Sequence, residues 1–254
     1  MRPDEYENIA RLEESHWWYR GLRDAVRQTL SQPALAPPPR ARVLDAGCGT
    51  GANLRLLRGL LDPAYLGGFD LSEAALAHAR LKAPEADIYR GDICAPELHV
   101  DGLDLIVSLD VVYIPGVERA RVGLRRLVEG LRSGGCLLLN LPAYDWLFSE
   151  HDVVIHTSER YTTARVGRLF DRLGLTAERL SYRMFFLFPA VVLARLPSIV
   201  RRGRRSAGER SDVRATSPTV NRLLYGVLAR ENRYLARGGR FPWGSSVFAV
   251  GRKP

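Results

Sequence analysis

The chain has 254 residues, 46% hydrophobic and 26% charged, with a formal net charge of +9. That length is enough for one sizeable domain, or one domain with an elaboration, and for a substantial core. Three widely spaced cysteines, Cys48, Cys94 and Cys136, exclude a disulfide framework and a zinc site, and read as small buried hydrophobes in a reducing compartment.

The N-terminal stretch MRPDEYENIARLEESHWWYR is acidic and lacks an apolar centre, so it is not a secretory signal. Apolar residues at Tyr6, Ile9, Leu12, Leu22, Val26 and Leu30 recur near helical spacing and predict helix from about 4 to 30. SQPALAPPPR then breaks the pattern as an extended linker. From Arg40 strands and helices alternate, which predicts an α/β fold with a parallel sheet and crossover helices.

The expected strands are Arg42–Asp45, Tyr65–Asp70, Ile88–Arg90, Leu103–Leu109, Gly135–Leu141 and Leu175–Tyr182, with helices following Gly51, Ser72, Val117 and Thr162. Ser72 has the hydroxyl an N-cap needs. Beyond Tyr182 the alternation stops. The apolar run Met184–Ala194 is far shorter than the roughly 20 residues of a membrane-spanning helix, so at most peripheral membrane contact and a cytoplasmic location are expected. An arginine-rich, loop-like stretch, RRGRRSAGERSDVRATSP, a helical NRLLYGVLARENRYL and a closing strand SSVFAVGRKP follow. This divides the chain into a helical lid (1–36), a nucleotide-binding core (37–183), an inserted region (184–242) and a last core strand (243–254). There is no internal repeat.

Charge is unevenly distributed. Residues 181–254 hold 15 Arg or Lys against 3 acids, a net of +12, whereas residues 1–180 are net −3. The C-terminal part is therefore suited to an anionic partner.

The stretch RVLDAGCGTGANL, from Arg42 to Leu54, reads as strand, glycine turn and helix. Its Gly47, Gly49 and Gly51 form GxGxG rather than the dinucleotide GxGxxG. Asp45 stands immediately before the turn, where a carboxylate repels a pyrophosphate but suits an ammonium or sulfonium. Asp70 ends the second strand, where an acid can accept from ribose hydroxyls. Asp92 follows the third strand, where it can accept from an adenine amino group while Ile93 covers the ring. Cys48, Leu71 and Leu109, at the same strand ends, complete the expected pocket.

Three acids at three successive strand ends around a glycine turn describe a pocket for S-adenosylmethionine. On these residues the chain resembles the class I S-adenosylmethionine-dependent methyltransferases, and VLDAGCGTG is close to their first motif. The resemblance implies a Rossmann-like seven-stranded sheet, mostly parallel, with an antiparallel last strand. ESHWWYRGLR and LPAYDWLFSEHDVVIHTSERYT further resemble a bacterial branch of that family. This implies an aromatic N-terminal lid, with Trp18 and Tyr19 over the cofactor and His16 at the acceptor, and a post-strand segment walling the acceptor pocket. The branch often has Glu-His after the fourth-strand aspartate; here Tyr113 and Ile114 occupy those positions.

Methyl transfer to oxygen or nitrogen is helped by a base. His151, Asp152 and His156 are the richest cluster for that work, with Asp152 able to orient a histidine, and Tyr113 joins them as a catalytic candidate. Arg160 and Tyr161 offer an anion clamp and a phenol to the acceptor. No metal-binding spacing accompanies them. The apolar run followed by Arg195, Arg201, Arg202, Arg204 and Arg205 suits an anionic amphiphile, such as a prenyl diphosphate or a lipid-linked phosphate. RNA or DNA is the alternative acceptor suggested by the basic C-terminal part, and is disfavoured because no Pro-Pro-aromatic loop follows the fourth strand. A polar metabolite is a further alternative. Neither the methylated atom nor the oligomeric state follows from the sequence.

Overall fold

The computed structural model describes residues 3–114, 117–148, 152, 157–200 and 216–254. Seven strands form one sheet: β1 Arg42–Ala46, β2 Tyr65–Asp70, β3 Asp87–Arg90, β4 Leu103–Leu109, β5 Leu131–Pro142, β6 Thr176–Arg183 and β7 Ser246–Arg252. Their order is β3-β2-β1-β4-β5-β7-β6. β7 runs antiparallel to both of its neighbours, and the other pairings are parallel. Strand order reverses between β1 and β4, so the crevice at their C-terminal ends is the place where such sheets bind ligands.

The helices among the described residues are α1 Pro3–Leu12, α2 Trp17–Leu30, α3 Ala52–Leu61, α4 Glu73–Lys82, α5 Val117–Gly130, α6 Thr163–Leu173, α7 Phe188–Val200 and α8 Pro218–Ala236. Both sheet faces are apolar because both are covered, as parallel sheets require. On one face Val43, Leu105, Val107, Leu138 and Val250 pack against Leu22 and Val26 of α2, Leu54 of α3 and Leu76 of α4. On the other, Leu44, Ile106, Leu137, Leu139 and Ala249 meet Leu124 and Leu127 of α5 and Phe170 of α6.

Two expected elements are redrawn. The N-terminal helix is two helices, because His16 adopts an extended backbone and caps α2 through its ring, with Trp18 N–H donating to Nδ1 at 3.4 Å. β5 begins at Leu131 rather than Gly135, its pairing with β4 slipping between Leu103 and Leu105. The N-terminal helices and the insert also pack on each other. Arg20 of α2 lies over the Tyr225 ring of α8 at 4.0 Å, and Asn232 of α8 donates to the Gly21 carbonyl at 2.8 Å. Leu22, Ala25, Val26 and Leu30 anchor α2 in the core. Arg201, Arg202, Arg204 and Arg205 lie outside the described residues.

Candidate functional site

The turn from β1 to α3 is held by the Phe69 carbonyl, which accepts from the N–H groups of Gly47 and Cys48, both at 2.9 Å. Gly49 and Gly51 have φ of +53° and +87°, a region costly for other residues. A Cβ on Gly51 would sit 2.7 Å from the Ala79 Cα, so that glycine lets α3 approach α4. A Cβ on Gly49 would meet nothing within 4 Å. The turn is therefore closed by packing at Gly51 and open at Gly49.

Asp45 is fully buried, and neither of its carboxylate oxygens has a hydrogen-bond partner. Burial pushes its carboxyl up to about 8, and the Asp70 charge adds to the shift. Asp70 accepts from Gly49 N–H and from Ser72 N–H, each at 3.0 Å, so it braces the open part of the turn. Burial raises its pKa too, opposed by those backbone bonds. Each of its oxygens retains a second lone pair for a ligand hydroxyl. Asp92 accepts from Cys94 N–H at 2.9 Å, its chain neighbour Ile93 and Leu109 at the end of β4 are buried, and Leu71 is exposed. The Cys48 thiol is buried, and burial raises its pKa well above the ordinary value, so it stays protonated. An unpartnered acid beneath an open turn, with a second acid beside it, fits a ligand bearing positive charge and opposes a pyrophosphate.

The N-terminal helices reach this turn through Glu13, which the sequence reading did not single out. Its Oε1 accepts from the Thr50 hydroxyl at 2.7 Å and pairs with Lys82 of α4, and its side chain is buried. On α1, Tyr6 carries a pKa raised first by burial and then by the Asp70 charge, with Ser72 hydrogen-bonded to it. Trp18 and Tyr19 pack edge to face at 4.9 Å.

On the acceptor side the structure rearranges the expected roles. Arg160 forks onto Asp152, with Nε at 3.0 Å and Nη2 at 2.7 Å from Oδ1, and its Nη1 donates to the Ala143 carbonyl at 2.9 Å. Arg195 donates to the Leu147 carbonyl at 2.8 Å and lies 3.4 Å from Asp152 Oδ2. Asp152 is thus the centre of a triad between two guanidinium groups, not only a support for a histidine, and Arg160 is a buried strut rather than an open clamp. Tyr161 is corrected as well: it is buried in the core, and its N–H bonds the Pro142 carbonyl at 2.8 Å. His151 and His156 lie outside the described residues. Tyr113 is buried; burial, then Asp110 and Asp152, raise its phenol well above the ordinary value, so it can donate a hydrogen bond but is no base at neutral pH.

A second buried polar chain went unread in the sequence. Asp110, with φ +59°, stands at the C-terminal end of β4, beside the crevice. Asn140 of β5 donates to both Asp110 oxygens at 3.0 Å, and its own oxygen accepts from Arg183 of β6 at 3.3 Å. Burial pushes the Asp110 carboxyl up to about 7 against the pull of Asn140 and Arg183. The signal in the sequence was the Leu109-Asp110 pair, a fourth acid at a fourth strand end.

A family model described as a methyltransferase domain matches residues 43–135. A trans-aconitate 2-methyltransferase of Deinococcus radiodurans is 34% identical over 158 residues, 61% of this chain and 55% of that protein. The chain spans about half the length of the curated relatives it matches. A TehB-like SAM-dependent methyltransferase from Corynebacterium glutamicum shares the fold with TM-score 0.55 and 19% identity, over 100% of both chains. A Haloferax volcanii protein solved in complex with the Trm112 methyltransferase activator aligns with TM-score 0.61 and 18% identity, over 99% of this chain and 94% of that one.

Proposed function

We propose that this chain, whose residues 43–135 match a methyltransferase domain and whose fold is shared with a TehB-like SAM-dependent methyltransferase, transfers a methyl group from S-adenosylmethionine to a small anionic acceptor. The observation that carries the reading is Asp45, fully buried with both oxygens unpartnered beside the glycine turn. A cation brought to that carboxylate favours its ionised form. Asp45 holds the charged end of the cofactor, Asp70 takes its ribose, and Asp92 with Ile93 takes its adenine. Gly49 leaves the approach open. The cofactor supplies an electrophilic methyl group; the chain aligns it with the acceptor and keeps water out.

The acceptor's negative charge is met by Arg195, the more exposed of the two guanidinium groups gathered at Asp152. The relatives named for trans-aconitate support this reading, since that acceptor is a small carboxylate. A carboxylate needs no deprotonation before it attacks a methyl group. A hydroxyl sheds its proton as it attacks and a neutral amine after it has attacked, and there Asp110, steadied by Asn140, serves as the proton acceptor at the end of β4.

The test is calorimetric titration with S-adenosylmethionine and with NAD, followed by transfer of labelled methyl into trans-aconitate, prenyl diphosphates, lipid-linked sugar phosphates and total RNA. Binding of the first ligand only, with label in an anionic small molecule, is expected. Label in RNA alone would replace the acceptor class, and NAD binding in place of S-adenosylmethionine would overturn the cofactor site.

A further inference from the structure

At the edge of the sheet where β6 ends and β7 begins, five aromatic rings gather on the surface. Phe185 stacks on Phe241 at 4.8 Å and on Trp243 at 5.0 Å; Phe186 meets Phe185 edge to face at 5.1 Å; Tyr234 of α8 meets Phe241 at 4.9 Å. Phe186 is 60% exposed, Tyr234 50% and Trp243 46%. Side chains of this size ordinarily bury most of their surface, so three half-exposed rings in one cluster need a reason.

The exposure is imposed by the backbone. Glu231, itself buried, accepts from the Phe186 N–H at 2.8 Å and pins the chain just after β6, so that the Phe186 ring points outward while its backbone is fixed. Met184, immediately before, has φ +60°. Glu231 is also the only acid among the described residues from 181 to 254, and it faces inward.

The rings are bordered by cations. Arg230, Arg233 and Arg237 are exposed and, with Tyr234, fall at i, i+3, i+4 and i+7 on one face of α8. Exposed Arg240 stands next to Phe241 in the chain. Leu223, 67% exposed, extends the apolar surface toward the start of that helix.

We infer that this aromatic and arginine face of β6, α8 and the β7 approach docks the protein on an anionic membrane surface, with Phe186 and Trp243 entering the headgroup region. Rings with a polar edge, or flanked by arginine, are what the interface of a bilayer accommodates, and each nearby cation adds attraction to anionic lipid. An acidic protein would satisfy the arginines but leaves three protruding rings unexplained. β6 is parallel to β5, so its end lies at the same edge of the sheet as the glycine turn. Docking there turns the mouth of the site toward the lipid and lets an acceptor pass from bilayer to pocket. The inference stands apart from the identity of the acceptor, and needs no catalytic turnover to test.

The experiment is co-sedimentation of the full chain with vesicles of phosphatidylcholine alone and of phosphatidylcholine mixed with phosphatidylglycerol. Association with the mixed vesicles that weakens as salt rises is expected. The double variant Phe186→Ser/Trp243→Ser is expected to weaken it by about tenfold or more, as loss of two inserted apolar side chains requires. Its S-adenosylmethionine affinity should be that of the unmodified chain, which shows that it is folded. Arg233→Glu/Arg237→Glu should weaken association with mixed vesicles and leave the phosphatidylcholine result unchanged. Brominated lipid should quench the fluorescence of the unmodified chain more than that of Trp243→Phe. Failure to bind either vesicle overturns the inference. So does binding that the double aromatic variant retains in full, because the contact would then belong to charge elsewhere in the chain.

Discussion

The two halves of the crevice handle charge in opposite ways. On the side proposed for the cofactor, Asp45 is buried without a partner and Asp70 braces a turn that is open at Gly49. On the acceptor side, Asp152 is shared between Arg160 and Arg195, and Asp110 is bound through Asn140 to Arg183. An unpartnered buried charge costs stability and becomes useful only when a ligand arrives, whereas a paired one fixes the shape of the pocket. The cofactor half therefore behaves as a receptor, and the acceptor half as a scaffold.

That contrast is broken most severely by Arg160→Leu. It takes from the buried Asp152 carboxylate its forked partner, leaving Arg195 3.4 Å away, and is expected to cost about 3 kcal/mol, the lower end of the usual penalty for breaking a buried pair. Melting temperature should fall on the order of 10 °C. Thermal unfolding with and without Asp152→Asn in the same chain checks it. The double variant should recover part of the loss, and if it melts no higher than Arg160→Leu the triad does not bear the charge assigned to it.

Asp45→Asn should do the reverse. Affinity for S-adenosylmethionine should fall by about 30-fold or more, equivalent to ~2 kcal/mol for losing one partner of a buried charge pair. The free protein should nevertheless gain stability at alkaline pH. The folded state holds the Asp45 proton up to about 8, whereas the unfolded chain releases it near the ordinary value of 3.8. Asp45 therefore favours the fold below the lower of these values, and that contribution is lost as pH rises toward the higher. Melting curves across that range should slope downward for the unmodified chain and flatten for the variant. Cofactor affinity of the unmodified chain should strengthen as pH rises through about 8, since a cation prefers the carboxylate. A pH-independent affinity would remove Asp45 from the site.

The glycine turn separates the two roles within a single loop. Gly51→Ala places a Cβ 2.7 Å from the Ala79 Cα at φ +87°, so it should lower melting temperature first. Gly49→Ala enters open space and should cost about 1 kcal/mol of stability from its φ alone, while weakening cofactor binding more than that. Equal effects of both variants on stability and binding would mean that the turn has no open side.

The residues proposed for the cofactor could be picked out in the sequence because they are local. Asp45, Gly47, Gly49 and Gly51 fall within seven residues, and Asp70 and Asp92 sit where strand ends can be read from alternation alone. The seven strands followed from the same signal. The acceptor half was misread because its determinants are distant pairings. Asp152 stands beside His151 in the chain, yet its oxygens go to Arg160 and Arg195, and nothing short of packing α7 onto the turn at Asp145–Leu147 reveals the second of these. Asn140 looks like any polar residue in a strand until β4 and β6 bring Asp110 and Arg183 to either side of it. The break between α1 and α2 was hidden because apolar spacing continues across His16, whose capping role depends on its backbone angle.

The smallest effect expected comes from the contact that joins the N-terminal helices to the receptor half. Glu13 reaches across 37 residues of chain to the Thr50 hydroxyl within the glycine turn, and also holds Lys82. Glu13→Gln keeps the size of the side chain, retains a weaker bond to Thr50 and loses the ion pair, so stability should fall by only about 1 kcal/mol. If α1 and α2 close the cofactor site, the loss appears mainly as faster release of S-adenosylmethionine in stopped-flow displacement, with association almost unchanged. Thr50→Val removes that hydroxyl outright and should speed release at least as much, with less than the sum of the two effects in the double variant. Additive effects of the two substitutions would mean that Glu13 and Thr50 act on different parts of the molecule, and the N-terminal helices would then belong to the scaffold rather than to the receptor.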